Sequence, residues 1–359
     1  MYSKVKYGTG REQFTYKFTI KFTLLINQIL LHFIRPAYAG IFILLLPTIF
    51  IGCSDSVPPR SDDFCTHSVV RSRVTSPISQ YLSGSTLDIL TFNDDRLGRL
   101  DSYQRIEKFT GNAVYPTSTS GGKIIFLYYG SVDDRYGWAQ INSISSLGKI
   151  CCNLEDESRN RPIMTGQCRC IAGETSIPID LAPLSCKVKL TQLQCDFSGT
   201  PYAKSKIRDV KAYLTNVNAT CSIMPESYPN KVRLINVGML NPSDIEGFKD
   251  RSILFQEITG ELGLNIIRTD ACFLCYPNNT DATRTTRLVI EGKIDGETYY
   301  WPLEVGDGEG ISRNCSYEYC ILIRRKGTSD PDILIDRKDI GLNLNVKQWE
   351  EKENCYVGF

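Results

Sequence analysis

The chain has 359 residues, with 41 basic against 40 acidic side chains and a formal charge of +1. No strongly basic field exists to hold nucleic acid, which excludes that partner. The two histidines, His32 and His67, leave histidine-dependent catalysis almost nothing to work with.

Phe18 to Ile34 is a weak apolar stretch, broken by Lys21, Asn27 and His32. A stronger run follows Arg35: Ala37 to Gly52 reads AYAGIFILLLPTIFIG and ends against Cys53. A basic flank, a short apolar core and a small residue before a cysteine make the layout of a secretory signal. A membrane-spanning helix needs about 20 apolar residues. Pro47 interrupts the run and polar Ser54-Asp55-Ser56 follows at once, which argues against an uncleaved anchor helix. The cysteine in that place suggests a lipobox. Acyl chains such as palmitate are then expected on Cys53, with residues 1–52 removed as a targeting segment. Either translation starts later than Met1 or the basic leader is long. On this reading, all that follows Cys53 lies outside the cytoplasm. One acyl chain would hold it weakly, two or three firmly.

The mature part is long enough for two domains. Its periodicity is mostly two. Leu87-Asp88-Ile89-Leu90-Thr91-Phe92 alternates and stops at Asn93-Asp94-Asp95. Lys123 to Tyr129 is a continuous apolar run, expected as a strand buried on both faces. A short helix is expected within Asp134 to Leu147, with Trp138, Ile141 and Ile144 on one side. Cys186 to Phe197 and Val210 to Val217 read as strands. Asn241 to Phe248 reads as a loop with one helical turn. Arg287 to Ile294 and Glu297 to Leu303 flank Asp295-Gly296, a strong hairpin sign. Glu318 to Arg324, a turn at Gly327 to Asp332, and Ile340 to Trp349 complete the set. Many short strands separated by Gly, Pro, Asn and Asp indicate β-sandwiches. The Pro178 and Pro183 region is the expected boundary, giving domains 53–184 and 185–359.

Setting Cys53 aside, thirteen of the fourteen cysteines remain, so complete internal pairing is impossible. Export permits disulfides without requiring them, and a few bridges or mostly reduced core thiols are equally open readings. Cys272-Phe273-Leu274-Cys275 has CxxC spacing. A zinc site needs a second pair and a redox dithiol needs a βαβ context, so both residues are expected to be strand residues facing the core.

Nucleophile elbows, Walker loops and zincin motifs are absent from the sequence. Asp62-Asp63, Asp94-Asp95, Asp133-Asp134 and Glu350-Glu351 are adjacent carboxylates, expected to be solvated turn residues more than calcium ligands. Tyr299, Tyr300 and Trp301 are either a sugar-stacking platform or alternate faces of a hairpin, with Tyr299 and Trp301 on one side. No catalytic residue, metal or cofactor is expected. Asn218-Ala-Thr, Asn278-Asn-Thr and Asn314-Cys-Ser match the glycosylation sequon, and they mean little if the host is bacterial, as the lipobox suggests.

Taken together, LDILTFNDDRLGRLDSYQR (87–105), IMTGQ (163–167), YLTNVNAT (213–220), LVIEGKIDGETYYWPLEVG (288–306), RNCSYEYCILIRRKGTSDPD (313–332) and the closing V-x-x-W (Val346 to Trp349) resemble the fimbrillins of Bacteroidales type V pili. The pattern is nearest to the group that includes the minor-fimbrium anchor protein. The resemblance implies an all-β chain of two transthyretin-like, Greek-key sandwiches behind a lipoprotein signal. It implies a lipid-anchored fimbrial subunit at the outer membrane and cell surface, assembling with other fimbrial subunits by β-strand complementation, and no enzyme. In stalk subunits of the family, an arginine-directed protease removes the first strand and opens a groove for the next subunit's extended segment. Cys65 to Val70 is the candidate first strand here, and Arg71 and Arg73 after it are the candidate processing sites. The closing residues EEKENCYVGF are polar and offer no long apolar pair of strands to donate, which favours an anchor or accessory role over a stalk role. The rival readings are a surface adhesin or glycan-binding lipoprotein with a host or bacterial ligand, and a lipid-anchored hydrolase. Cys315 and Cys320 stand where the family pattern expects ordinary strand residues.

Overall fold

The computed structural model describes residues 67–74, 86–107, 112–118, 122–130, 138–171, 176–225, 232–278, 284–306, 310–335, 340–348 and 354–358. The first strands are β1 (His67–Val74), β2 (Thr86–Asn93), β3 (Leu100–Ile106), β4 (Asn112–Ser118), β5 (Lys123–Gly130), β6 (Cys151–Asn153), β7 (Met164–Cys170), β8 (Ser176–Asp180) and β9 (Ala182–Pro183). They are followed by β10 (Cys186–Cys195), β11 (Arg208–Thr215), β12 (Val217–Asn218), β13 (Thr220–Ser222), β14 (Leu234–Ile235), β15 (Phe255–Glu257) and β16 (Ile267–Cys275). The last are β17 (Arg287–Ile294), β18 (Glu297–Glu304), β19 (Cys315–Ile323), β20 (Ile340–Gln348) and β21 (Asn354–Gly358). The fold is all-β, as expected.

Four sheets carry the architecture. Two run in the orders β3-β2-β5-β7-β9 and β4-β1-β21-β8, and two in the orders β16-β10-β19-β20 and β15-β11-β17-β18. Among the described residues, pairing is antiparallel except between β10 and β19, which run parallel.

The apolar run at β5 is buried except at half-buried Ile124, and the centre of β2 is buried throughout. A strand turns successive side chains to opposite faces, so both faces are covered. Leu90, Phe92, Phe126 and Tyr128 join one continuous core with Leu190, Leu214, Leu288 and Tyr319. Leu87, Ile89, Ile125, Leu127 and Tyr129, of the other parity, are buried to 1% exposure or less. β8 crosses β7 so closely that a Cβ on Gly166 would stand 2.3 Å from the carbonyl oxygen of Asp180.

The expected hairpin stands: β17 and β18 pair from Arg287↔Glu304 to Ile294↔Glu297. Asp295 and Gly296 both take left-handed backbone, at φ 53° and 92°, as a two-residue hairpin turn with this twist demands. The expected helix near residue 140 is two short pieces, a 3-10 turn at Trp138–Gln140 and a helix at Ile144–Leu147. Ser143 and Ser146 cap the second reciprocally, which starts a new helix there. The turn expected after Asn241 is a helix at Pro242–Ile245, capped by the Asn241 side chain.

Strands before and after Ser185 meet at a junction. β6 pairs with β13, placing Cys152 opposite Cys221. Arg313 donates from Nε to the Pro183 carbonyl at 3.1 Å and from its terminal nitrogen to the Ala182 carbonyl at 2.7 Å. Glu157 is buried there, and its carboxylate accepts from the Ile163 amide at 3.0 Å. Burial pushes that carboxyl up to about 7, although the hydrogen bond from the Ile163 amide pulls the other way. Among the described residues no helix is long and apolar enough to cross a membrane.

Candidate functional site

The chain's closing residues were expected to be a polar tail, and the structure corrects this. Asn354–Gly358 is a strand, β21, seated between β1 and β8. Cys-Tyr-Val at its centre has strand-forming chemistry that the flanking charges conceal in a composition reading. β21 runs antiparallel to both neighbours. Against β8 it pairs along all five residues, from Asn354↔Asp180 to Gly358↔Ser176. Against β1 it pairs only at Ser72↔Val357, Arg73↔Tyr356 and Val74↔Cys355. A slot of strand length, walled by β1 and β8, is thus filled by a segment from the far end of the chain. Backbone hydrogen bonds along two edges are what β-augmentation requires.

Cys53 lies outside the described residues. Arg71 and Arg73 do not follow the first strand but stand within it. Arg71 is opposite Val114 of β4, and Arg73 is flanked by Asn112 of β4 and Tyr356 of β21. A protease reading an extended substrate needs that ladder opened first.

The aromatic trio is not an exposed platform. Trp301 is 1% exposed and its indole donates to the Arg325 carbonyl at 3.0 Å. Tyr299 is half-buried under the Lys326 ammonium, which sits 5.1 Å from its ring centre and 5.3 Å from that of Tyr202. The Arg-Lys-Gly-Thr segment is therefore a structural clasp on β18. Thr328 and Tyr300 exchange two backbone hydrogen bonds of 2.9 Å, and a Cβ on Gly327 would meet the Tyr300 oxygen at 2.1 Å. Beyond the clasp, Asp332 pairs with the buried Arg287.

Other candidates resolve into structure. Cys275 is fully buried while Cys272 is half-buried, because residues three apart on a strand face opposite ways; the expectation that both face the core is corrected. Asp95 caps its own turn, accepting from Leu97 and Gly98 at 2.9 and 2.7 Å, and Asp94 lies 3.7 Å from Arg169. The remaining acidic pairs lie outside the described residues. Among the described residues no three His, Cys, Asp or Glu side chains gather as a metal site. Asn218 and Asn278 of the sequons are buried and hold loops together. Asn218 donates to Pro277 at 2.9 Å, and Asn278 to Asn216 and Arg284, each at 2.9 Å.

No family model matches the chain, and no curated protein sequence matches it. Solved structures do. Two proteins named "putative cell adhesion protein" superpose over most of their length. The one from Parabacteroides distasonis is 12% identical, covers 79% of this chain and 98% of its own, and has a TM-score of 0.57. The one from Bacteroides eggerthii is 15% identical, covers 74% and 90%, and scores 0.56. A fimbrilin, FimA of Porphyromonas gingivalis, is 14% identical, covers 77% and 96%, and scores 0.53. At these identities the likeness is one of fold, and the fold of this chain is that of the Bacteroidales fimbrillins and their adhesion-protein neighbours.

Proposed function

We propose that the chain is a fimbrial subunit of anchor or accessory type, held at the outer membrane through acyl chains on Cys53 and assembled with other subunits by β-strand complementation. The observation that carries the reading is the seating of β21 between β1 and β8. A place that accepts a strand from the distant end of its own chain has the hydrogen-bonding edges to accept one from a neighbouring subunit. The partial ladder to β1 makes β21 the replaceable occupant. The reading takes residues 53–184 and 185–359 as two sandwiches, the first receiving the incoming strand. One feature speaks for the anchor type over the stalk type: Arg71 and Arg73 sit inside a paired strand. A glycan-binding role loses its best candidate with Trp301 in the core.

The test is intact-mass and N-terminal peptide analysis of the protein from the outer-membrane fraction. The reading expects acylated Cys53 at the N-terminus and Cys53→Ala protein lost from the membrane. An N-terminus just after Arg71 or Arg73 would replace it with the stalk reading. Unmodified Cys53 with unchanged fractionation would remove the lipid anchor.

A further inference from the structure

We propose that Cys186 and Cys275 form a disulfide that bolts the first residue of β10 to the last residue of β16. The two stand directly opposite in an antiparallel pair. Such pairs hold their Cα atoms about 4.5–5.5 Å apart, inside the span a disulfide tolerates. Their sulfurs are already in contact at 3.2 Å, and the Cys186 thiol also lies 3.1 Å from the Cys275 carbonyl. Both residues are fully buried. The other opposed pair behaves differently. Cys152 turns its sulfur to the Tyr128 hydroxyl at 3.9 Å, and Cys221 donates to the Ser222 carbonyl at 3.3 Å.

A third sulfur makes the choice specific. Ser316 lies opposite Lys187 in the parallel ladder, so Cys315, one residue earlier, takes the place beside Cys186. The row across the sheet is Cys275, Cys186, Cys315, and only the first two are fully buried. The bond forms when each thiol gives up its proton and the pair gives up two electrons to a disulfide donor. Glutathione disulfide serves in vitro, and a dithiol–disulfide oxidoreductase of the envelope serves in the cell; the donor is reduced to two thiols. Burial holds the Cys186 thiol well above its ordinary range, so exchange precedes closure of the sheet or waits for it to open. The consequence bears on the assembly reading, on which the physiological setting rests. β10 begins immediately after the link at Leu184-Ser185, so load passed from the first sheets into the second half enters at Cys186. A bond there resists peeling of β10 from β16 and closes a sequence separation of 89 residues.

The experiment is peptide mapping of the full chain refolded in glutathione disulfide and glutathione, quenched with N-ethylmaleimide. Peptides carrying Cys186 and Cys275 should appear joined, two hydrogens lighter than the separate thiols, and should separate on reduction. The oxidised chain should melt roughly 10 °C above the reduced one. Cys186→Ala, Cys275→Ala and the double variant should share one lowered midpoint that reductant no longer moves. Both cysteines alkylated in the oxidised sample, or Cys186 joined to Cys315, would overturn the proposal. Protein taken from the envelope under the same quench reports the compartment separately. Pairing in the refolded chain but not in cells would refute the export reading and leave the pairing standing.

Discussion

The two sheets that hold β19 and β21 are built on opposite plans. β19 is locked on both sides along its length: nine pairs to β20, from Cys315↔Gln348 to Ile323↔Ile340, and a parallel ladder to β10. Its side chains alternate into the core, with Tyr319 fully buried. β21 has three pairs to β1 and five to β8, and its sheet is assembled from residues 67–74, 112–118, 176–180 and 354–358. The first plan resists change. The second gathers short segments from both ends of the chain. On the proposed reading one of those segments is exchangeable, and a subunit that must be stable before assembly and open to a partner's strand during it would need both plans.

The comparison can be broken most forcefully in the locked region. Trp301→Ala should cost about 3–5 kcal/mol in denaturant unfolding, because it empties a filled core site and orphans the Arg325 carbonyl. A loss under 1 kcal/mol would mean that this half is not the stable one.

The junction adds a pH dependence. The Glu157 carboxyl, at about 7 when folded against an ordinary value of 4.5, has a raised folded pKa. Its contribution is therefore fully present below about 4.5 and is lost as pH rises through about 7, by roughly 3 kcal/mol at most. Glu157→Gln should remove that slope between pH 5 and 7.5, read from unfolding midpoints across pH. An unchanged slope would place the titration elsewhere.

Asn218→Ala should cost about 2 kcal/mol, since it strips a partner from the Pro277 carbonyl and from the Thr220 and Arg233 amides. The melting midpoint is the readout, and a neutral result would deny the loops their polar anchor. Least of all should be Asp209→Asn, which breaks a solvent-exposed pair with Lys293 and should leave the midpoint within error.

What the sequence discloses follows the same divide. The Asp295-Gly296 hairpin, the β5 run and the alternation of β10 carry their signals locally, in turn chemistry and period. β1 and β21 do not. They sit among charged and polar residues and pair across nearly the whole chain, so nothing near Tyr356 announces Ser72 as a neighbour. Arg71 and Arg73 were expected to follow a strand ending at Val70, and β1 continues through both to Val74. The parallel pairing of β19 with β10 and the burial of Glu157 are likewise products of long-range packing.

The slot is tested most directly by removing its occupant. The chain lacking residues 354–358 should melt lower than the full chain, and a synthetic peptide of residues 350–359 should bind it saturably and restore the midpoint. If the shortened chain is as stable as the full one and ignores the peptide, β21 fills no acceptor site and the assembly account is wrong.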